Sequence, residues 1–240
     1  MDELERVPIM VEDLVIEYHP PRSINPFSKK KYVGVRGIDG VSIEIEKGEV
    51  VALLGKNGAG KTTLLRAIAG ELRPGSGTII TNGRVFTLRG ANPGLIPFIS
   101  SRENVNLMAR VYGIPKEDRR RFEEEVEEFC DLGEAYDRMF GTLSTGMAGR
   151  VGFGFTTSLN PDILLMDETL GVGDEEFRKK AEGKAIEFMD RGETIVISTH
   201  SLNLVKSMCQ RGIVLHEGRV AFDGNSDEAV GFYLEEIIKK

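Results

Sequence analysis

The spacing of apolar residues changes along the chain, and each change marks an element. Ile9 to Tyr18 reads as a strand, and Val41 to Glu46 as a second, with Val41, Ile43 and Ile45 alternating against polar neighbours. Between them, His19 to Lys31 holds Pro20, Pro21 and Pro26 and ends in Lys29, Lys30 and Lys31. It is expected to be irregular, either a solvated loop or a contact with anionic lipid or a membrane partner. Glu49 to Leu54 is a short apolar run suited to a buried parallel strand, and it leads through glycines into a helix from Lys61 to Ala69. From Ser101 to Leu159 the pattern turns helical, with Pro115 in the first turn of a helix whose Phe122, Val126 and Phe129 share a face. Strand and helix then alternate through Ile163 to Asp167, Glu175 to Met189, Thr194 to Thr199 and Leu202 to Cys209. Ile213 to His216 and Val220 to Phe222 flank Glu217-Gly218-Arg219 as a hairpin, and a closing helix runs from Asp227 to Lys240.

This order predicts an α/β chain of one domain with two lobes. One lobe, about 1–94 and 159–240, carries the strands; the other, about 95–158, is helical. With 240 residues, 40% of them hydrophobic, the chain can bury a sizeable core. Its longest apolar runs fall far short of the roughly 20 residues that cross a bilayer. The acidic stretch from Met1 to Glu5 does not resemble a secretory signal, so a cytoplasmic location is expected. A net charge of −7 with interspersed signs disfavours nucleic acid as a partner. Cys130 and Cys209 sit singly and read as structural thiols, and neither they nor His19 and His216 form a metal-ligand cluster.

Gly55-Lys56-Asn57-Gly58-Ala59-Gly60-Lys61-Thr62 fits the phosphate-loop pattern and lies between a strand and a helix, as such a loop requires. Its glycines let backbone N–H groups and the helix N-terminus face phosphate oxygens. Lys61 would reach the β- and γ-phosphates, and Thr62 would offer a hydroxyl to Mg²⁺. Gly55, Asn57, Gly58, Ala59, Gly60, Lys61, Thr62 and Thr63 are therefore candidate contacts to ATP. Downstream, the apolar strand Ile163 to Met166 delivers Asp167, a candidate Mg²⁺ ligand, and Glu168, a candidate base for the attacking water. The reaction class is phosphoryl transfer to water.

With these motifs in order across nearly the whole chain, the sequence resembles the ATP-binding cassette (ABC) family. The resemblance implies a P-loop NTPase fold with a RecA-like core, an antiparallel β subdomain and an α-helical signature subdomain. Leu143-Ser144-Thr145-Gly146-Met147 resembles the family signature LSGGQ, with Ser144 and Gly146 matching and expected to face a γ-phosphate. His200 matches the switch histidine, expected to hydrogen-bond the γ-phosphate. Gly171 to Asp174 occupies the place of the D-loop, where Asp174 would link two subunits. Tyr18 resembles the adenine-stacking aromatic, with Tyr32 as a second candidate. The family further implies a homodimer that sandwiches ATP and drives two copies of an integral membrane permease, which places the chain at the cytoplasmic face of the membrane.

Three departures narrow the resemblance. The family's glutamine between phosphate loop and signature is missing, and its position falls near Leu88 or Arg89. Met147 replaces the signature glutamine. Gly152 and Gly154 interrupt the following helix at a cost of about 0.5–1 kcal/mol each, which close packing against another backbone could offset. Together with Asp167 to Asp174, these features are similar to ATPase subunits of teichoic-acid, O-antigen and capsule exporters, so a lipid-linked polysaccharide is the expected cargo. No C-terminal carbohydrate-binding extension is expected. The alternatives are an ABC ATPase for nutrient import or small-molecule efflux, which usually keeps the glutamine, and a non-transport ABC protein, which would be expected to show two cassettes in one chain or long heptads. The segment Arg89 to Ser101 carries Leu95, Ile96, Phe98 and Ile99, which either enter the core or form a groove for the permease.

Overall fold

The computed structural model describes residues 7–18, 34–89, 94–167 and 175–239. In chain order the elements are β1 Ile9–Tyr18, β2 Val35–Ile45, β3 Val50–Leu54, α1 Lys61–Ile68, β4 Ser76–Thr81, β5 Val85–Arg89, α2 Ser101–Val111 and α3 Arg119–Cys130. There follow α4 Thr145–Ser158, β6 Ile163–Asp167, α5 Glu175–Asp190, β7 Thr194–Ser198, α6 Leu202–Met208, β8 Arg211–His216, β9 Arg219–Asn225 and α7 Ser226–Phe232, which runs on as π-helical turns through Tyr233–Ile238. The described residues form two compact units, one from the stretches up to Gly83 and from Thr194 onward, the other from Arg84–Glu193.

The first unit holds an antiparallel sheet in the order β2-β1-β4 and a group of strands in the order β7-β3-β8-β9. β2 begins at Val35 rather than at Val41, because Val35 and Arg36 continue the pairing opposite Tyr18 and Glu17 although their own pattern does not alternate. β1 bulges at Asp13, whose φ is 45°. Gly77 of β4 passes so close to it that a Cβ there would stand 2.4 Å from the Asp13 carbonyl oxygen, which leaves room only for glycine. β3 is buried at all five positions and runs parallel to both β7 and β8, with Leu53 level with Ser198 and Leu54 level with Val214. That two-sided burial is why its sequence is apolar without alternation.

The second unit pairs β5 with β6 in parallel, Val85 level with Ile163 and Arg89 level with Asp167, and surrounds them with helices. Ten of the fourteen residues of α4 are buried. Such a helix needs small residues where neighbours come close, and Gly154 is one: a Cβ there would lie 3.0 Å from Phe129 and 3.1 Å from the Cys130 sulfur, both at the end of α3. Phe129 itself is half-buried and stacks on Phe153, with ring centroids 5.5 Å apart. Arg102 of α2 ties the helices together, donating to Glu127 at 2.6 Å and to Asp137 at 2.6 Å, to Glu123 as well, and lying over the Tyr136 ring. α3 starts at Arg119, later than Pro115 suggested, since Pro115 instead accepts from the Asp118 N–H in a turn ahead of the helix. Both thiols are free and buried, and burial pushes Cys209 up to about 12 and Cys130 higher still.

The segment after β5 divides its apolar residues between core and surface. Leu95 is buried in the helical core, whereas Ile96 is exposed and Phe98 is 81% exposed. The fully buried Asn104 fixes the segment by accepting from the Ile96 N–H at 2.7 Å and donating to the Ile96 carbonyl at 2.9 Å. The Gly141 N–H donates to Pro97 and the Phe140 N–H to Ile99, so Phe98 stands on a braced loop. Nothing in the sequence pattern distinguished Asn104 from its polar neighbours.

Candidate nucleotide site

The phosphate loop leaves the carboxyl end of β3 and enters α1. Its three glycines Gly55, Gly58 and Gly60 have φ of 153°, 83° and 109°, a range that L side chains rarely adopt. At Gly55 and Gly60 close neighbours add to this demand, since Cβ atoms there would lie 2.5 Å from the Leu215 carbonyl oxygen and 2.6 Å from that of Gly37. At Gly58 nothing lies within 4 Å, so the conformation alone calls for glycine and the space beside it is open to an approaching phosphate. Lys61 is buried, and its ammonium donates to the Gly55 carbonyl at 2.8 Å, which holds it across the loop. Thr62 is exposed in the first turn of α1, and that turn has no acidic residue to compete with an anion. A curled loop, an ammonium and a helix start fit a triphosphate. The Thr62 hydroxyl is a hard oxygen donor of the kind Mg²⁺ takes, and such an ion would add charge stabilisation at the phosphates.

The loop is held from behind. The Gly218 N–H, in the β8–β9 turn, donates to the Ala59 carbonyl at 3.0 Å, and the Asp39 N–H of β2 donates to the Gly218 carbonyl at 2.9 Å. Asp39 accepts from Arg219 at 2.6 Å and from Arg36 at 2.6 Å, and these charged hydrogen bonds, Arg219 first, hold its carboxyl below the usual range. The sequence marks Gly218 and Arg219 only as part of a hairpin turn and does not mark Asp39 at all. A charged residue two positions after Gly37 carries no signal until the topology brings β2 beside the turn.

Tyr18, at the end of β1, is 40% exposed, and its hydroxyl hydrogen-bonds Thr63 Oγ1 at 3.1 Å. Gly37 makes room for the ring, since a Cβ there would meet it at 2.8 Å. His200 follows β7 by two residues, and because Ser198 is level with Leu53 it emerges at the same sheet edge as the phosphate loop. Ser144 caps α4, its Oγ accepting from the Met147 N–H at 3.3 Å, and Gly146 lies in the first turn. Asp167 ends β6 and is half-buried. Leu88 is buried in the core, and the backbone of Arg89 is level with Asp167 in the β5–β6 pairing. Glu168, Asp174, Tyr32 and the insert after Tyr18 lie outside the described residues.

The sequence matches the family described as ABC transporter over residues 38–171. It is 35% identical over 94% of its length to the O-antigen export system ATP-binding protein RfbB of Klebsiella pneumoniae, of which it spans 89%. It is 38% identical to the teichoic acids export ATP-binding protein TagH of Bacillus anthracis over 90% of its own length, but spans 40% of that protein. Among solved structures, the ATP-binding cassette MJ0796, in a dimeric post-hydrolysis state bound to ADP and Pi, superposes with a TM-score of 0.77 at 22% identity, covering 91% of this chain and 98% of that one. Subunit cbiO1 of Clostridium perfringens gives 0.70 at 24% identity, with 96% of each chain covered. The α/β layout, the phosphate loop and these similarities define a nucleotide-hydrolysing cassette. The chain belongs to the ABC transporter family and is an ATP-binding, ATP-hydrolysing member of it.

Proposed function

We propose that this chain works as one half of a two-fold dimer on the cytoplasmic face of a membrane, and that ATP-driven closure of the dimer powers a permease moving a lipid-linked cell-surface polysaccharide. The observation that carries the cargo class is the similarity, over nearly the whole chain, to ATP-binding proteins named for O-antigen and teichoic-acid export. The residue assignments follow the motifs. Lys61 and the phosphate-loop amides bind the β- and γ-phosphates, Tyr18 stacks on adenine, and Thr62 and Asp167 hold Mg²⁺. Glu168 activates water, His200 contacts the γ-phosphate, and Ser144 and Gly146 close over the nucleotide of the opposite subunit. Exposed Phe98 and Ile96, on their braced loop, form the contact with the permease.

Two measurements test this reading. Depleting the chain should strand lipid-linked polymer on the cytoplasmic side; unchanged surface polymer would remove the cargo assignment. A Lys61→Ala subunit mixed with a Ser144→Arg subunit should regain activity beyond either mutant homodimer, because both lesions fall in one composite site. With no such gain, a crosslink from Ser144 to the opposite phosphate loop decides between absent in-trans assembly and two sites that must fire together.

A further inference from the structure

Helix α3 carries its charges against its own dipole. Arg119, Arg120 and Arg121 occupy its N-terminal end, where the partial charge is positive, and Glu127 and Glu128 its C-terminal end. Its first turn has no acidic residue and its last turn no basic one; the acidic N-cap, Asp118, makes no capping side-chain hydrogen bond and offsets the three arginines only in part. This reversal gives up a few tenths of a kcal/mol per charge in an isolated helix, so it calls for an outside partner that rewards it.

The surroundings of that end indicate the partner. Between Arg110 and Arg121 lie five basic and two acidic side chains, in a chain whose net charge is −7. Among the described residues Arg110, Lys116 and Arg121 make no ion pair, and the Arg120–Glu124 pair is largely exposed. Beside them, at the end of α2, Val111 is 68% exposed and Tyr112 is 46% exposed. The Tyr112 ring is anchored from beneath, 5.1 Å from Phe86 and 5.8 Å from Phe155 between centroids, so it is a fixed feature of the surface.

We propose that this α2–α3 corner is a docking surface for an anionic lipid bilayer. Phosphate headgroups would take the arginines and Lys116, while Val111 and the Tyr112 edge enter the headgroup layer. The acidic end of α3 fits the same arrangement. Glu128 lies seven residues beyond Arg121, about 10 Å along a helix rising 1.5 Å per residue and so beyond a Debye length of about 8 Å, while of the acids nearer the basic end Glu123 is turned to Arg102 and Glu124 to Arg120. The inference concerns lipid alone and holds whatever cargo the permease moves.

The test uses the purified chain and sedimentation with vesicles. Binding is expected to vesicles rich in phosphatidylglycerol, to weaken steeply with salt, and to be absent with phosphatidylcholine. The triple variant Arg110→Gln/Arg120→Gln/Arg121→Gln should lower vesicle affinity about five-fold per cation removed, on the order of a hundred-fold in all. It should melt no lower than the parent, because two of the changes relieve the clash with the helix dipole. Phe98→Asp should leave vesicle binding intact. Absence of binding to anionic vesicles, equal binding to neutral ones, or undiminished binding by the folded triple variant would each overturn the proposal. So would loss of permease co-purification by the triple variant with no vesicle binding by the parent, which would make the partner an acidic protein segment.

Discussion

The hydroxyl of Tyr18 and Oγ1 of Thr63 lie 3.1 Å apart, which fixes the last residue of β1 against the helix that begins at the phosphate loop. The half-exposed ring therefore has a set position near the place where a nucleotide's phosphates would end. Tyr18→Ala is expected to weaken ATP binding by about 1–3 kcal/mol, the range for loss of a base-stacking aromatic. Tyr18→Phe, which loses only the hydroxyl, should lose less than Tyr18→Ala. Fluorescent-nucleotide titration of the three proteins measures both effects, and wild-type affinity in Tyr18→Ala would return the role to Tyr32.

Glu168 follows directly on the strand that ends in Asp167. Glu168→Gln should lower ATP turnover by about 10²- to 10⁴-fold while nucleotide binding persists, since the amide keeps the shape and loses the base. Lys61→Ala should instead lose ATP affinity. Steady-state hydrolysis beside equilibrium binding separates the two, and near-normal turnover in Glu168→Gln would remove that residue from catalysis.

Gly154 has Phe129 and the Cys130 sulfur at 3.0 and 3.1 Å from the place a Cβ would take, with the Val126 carbonyl at 3.5 Å. A branched side chain must push α3 away, so Gly154→Val should cost about 1–3 kcal/mol in chemical denaturation. Gly154→Ala should cost less, because the gain in helix propensity of about 1 kcal/mol works against the contact. A Gly154→Val protein as stable as the parent would show that the helices can separate there freely.

The buried thiols set an alkaline limit. Burial raises Cys209 to about 12 and Cys130 further, while an unfolded thiol titrates near about 8.5. The folded chain thus holds these protons more tightly than the unfolded one. Their contribution to stability is complete below about pH 8.5 and declines towards about pH 12, by about 1.4 kcal/mol per pH unit for each thiol. Denaturation midpoints for the parent and Cys209→Ala at rising pH should converge as this loss sets in. At pH 8 neither thiol should react with a disulfide reagent until the chain is unfolded.

Much of this architecture was legible because burial imposes a pattern. Ile9–Tyr18 and Ile163–Asp167 were bounded correctly from their apolar residues, and the glycines of the phosphate loop announced a turn that a side chain would block. β4 and β5 were not read as strands, since in Ser76–Thr81 only Ile79 and Ile80 are apolar and the strand lies at a sheet edge. The candidate site was visible only where it is local in sequence. The contact of Tyr18 with Gly37, and those that link Asp39 to Gly218 and Arg219, run across the fold, and neither residue type nor spacing announces these pairings. Leu95 and Phe98 look alike in the sequence, and Asn104 separates them by fixing the backbone that turns one inward and the other out.

The depth of α4 has a mechanical consequence. A helix with ten of fourteen residues buried has almost no free side along which to slide or tilt by itself. Ser144, sitting on its end, is therefore the tip of a stiff rod and cannot be moved without carrying the surrounding helices along. A spectroscopic label near Ser144 would track the travel of that whole body through the ATP cycle.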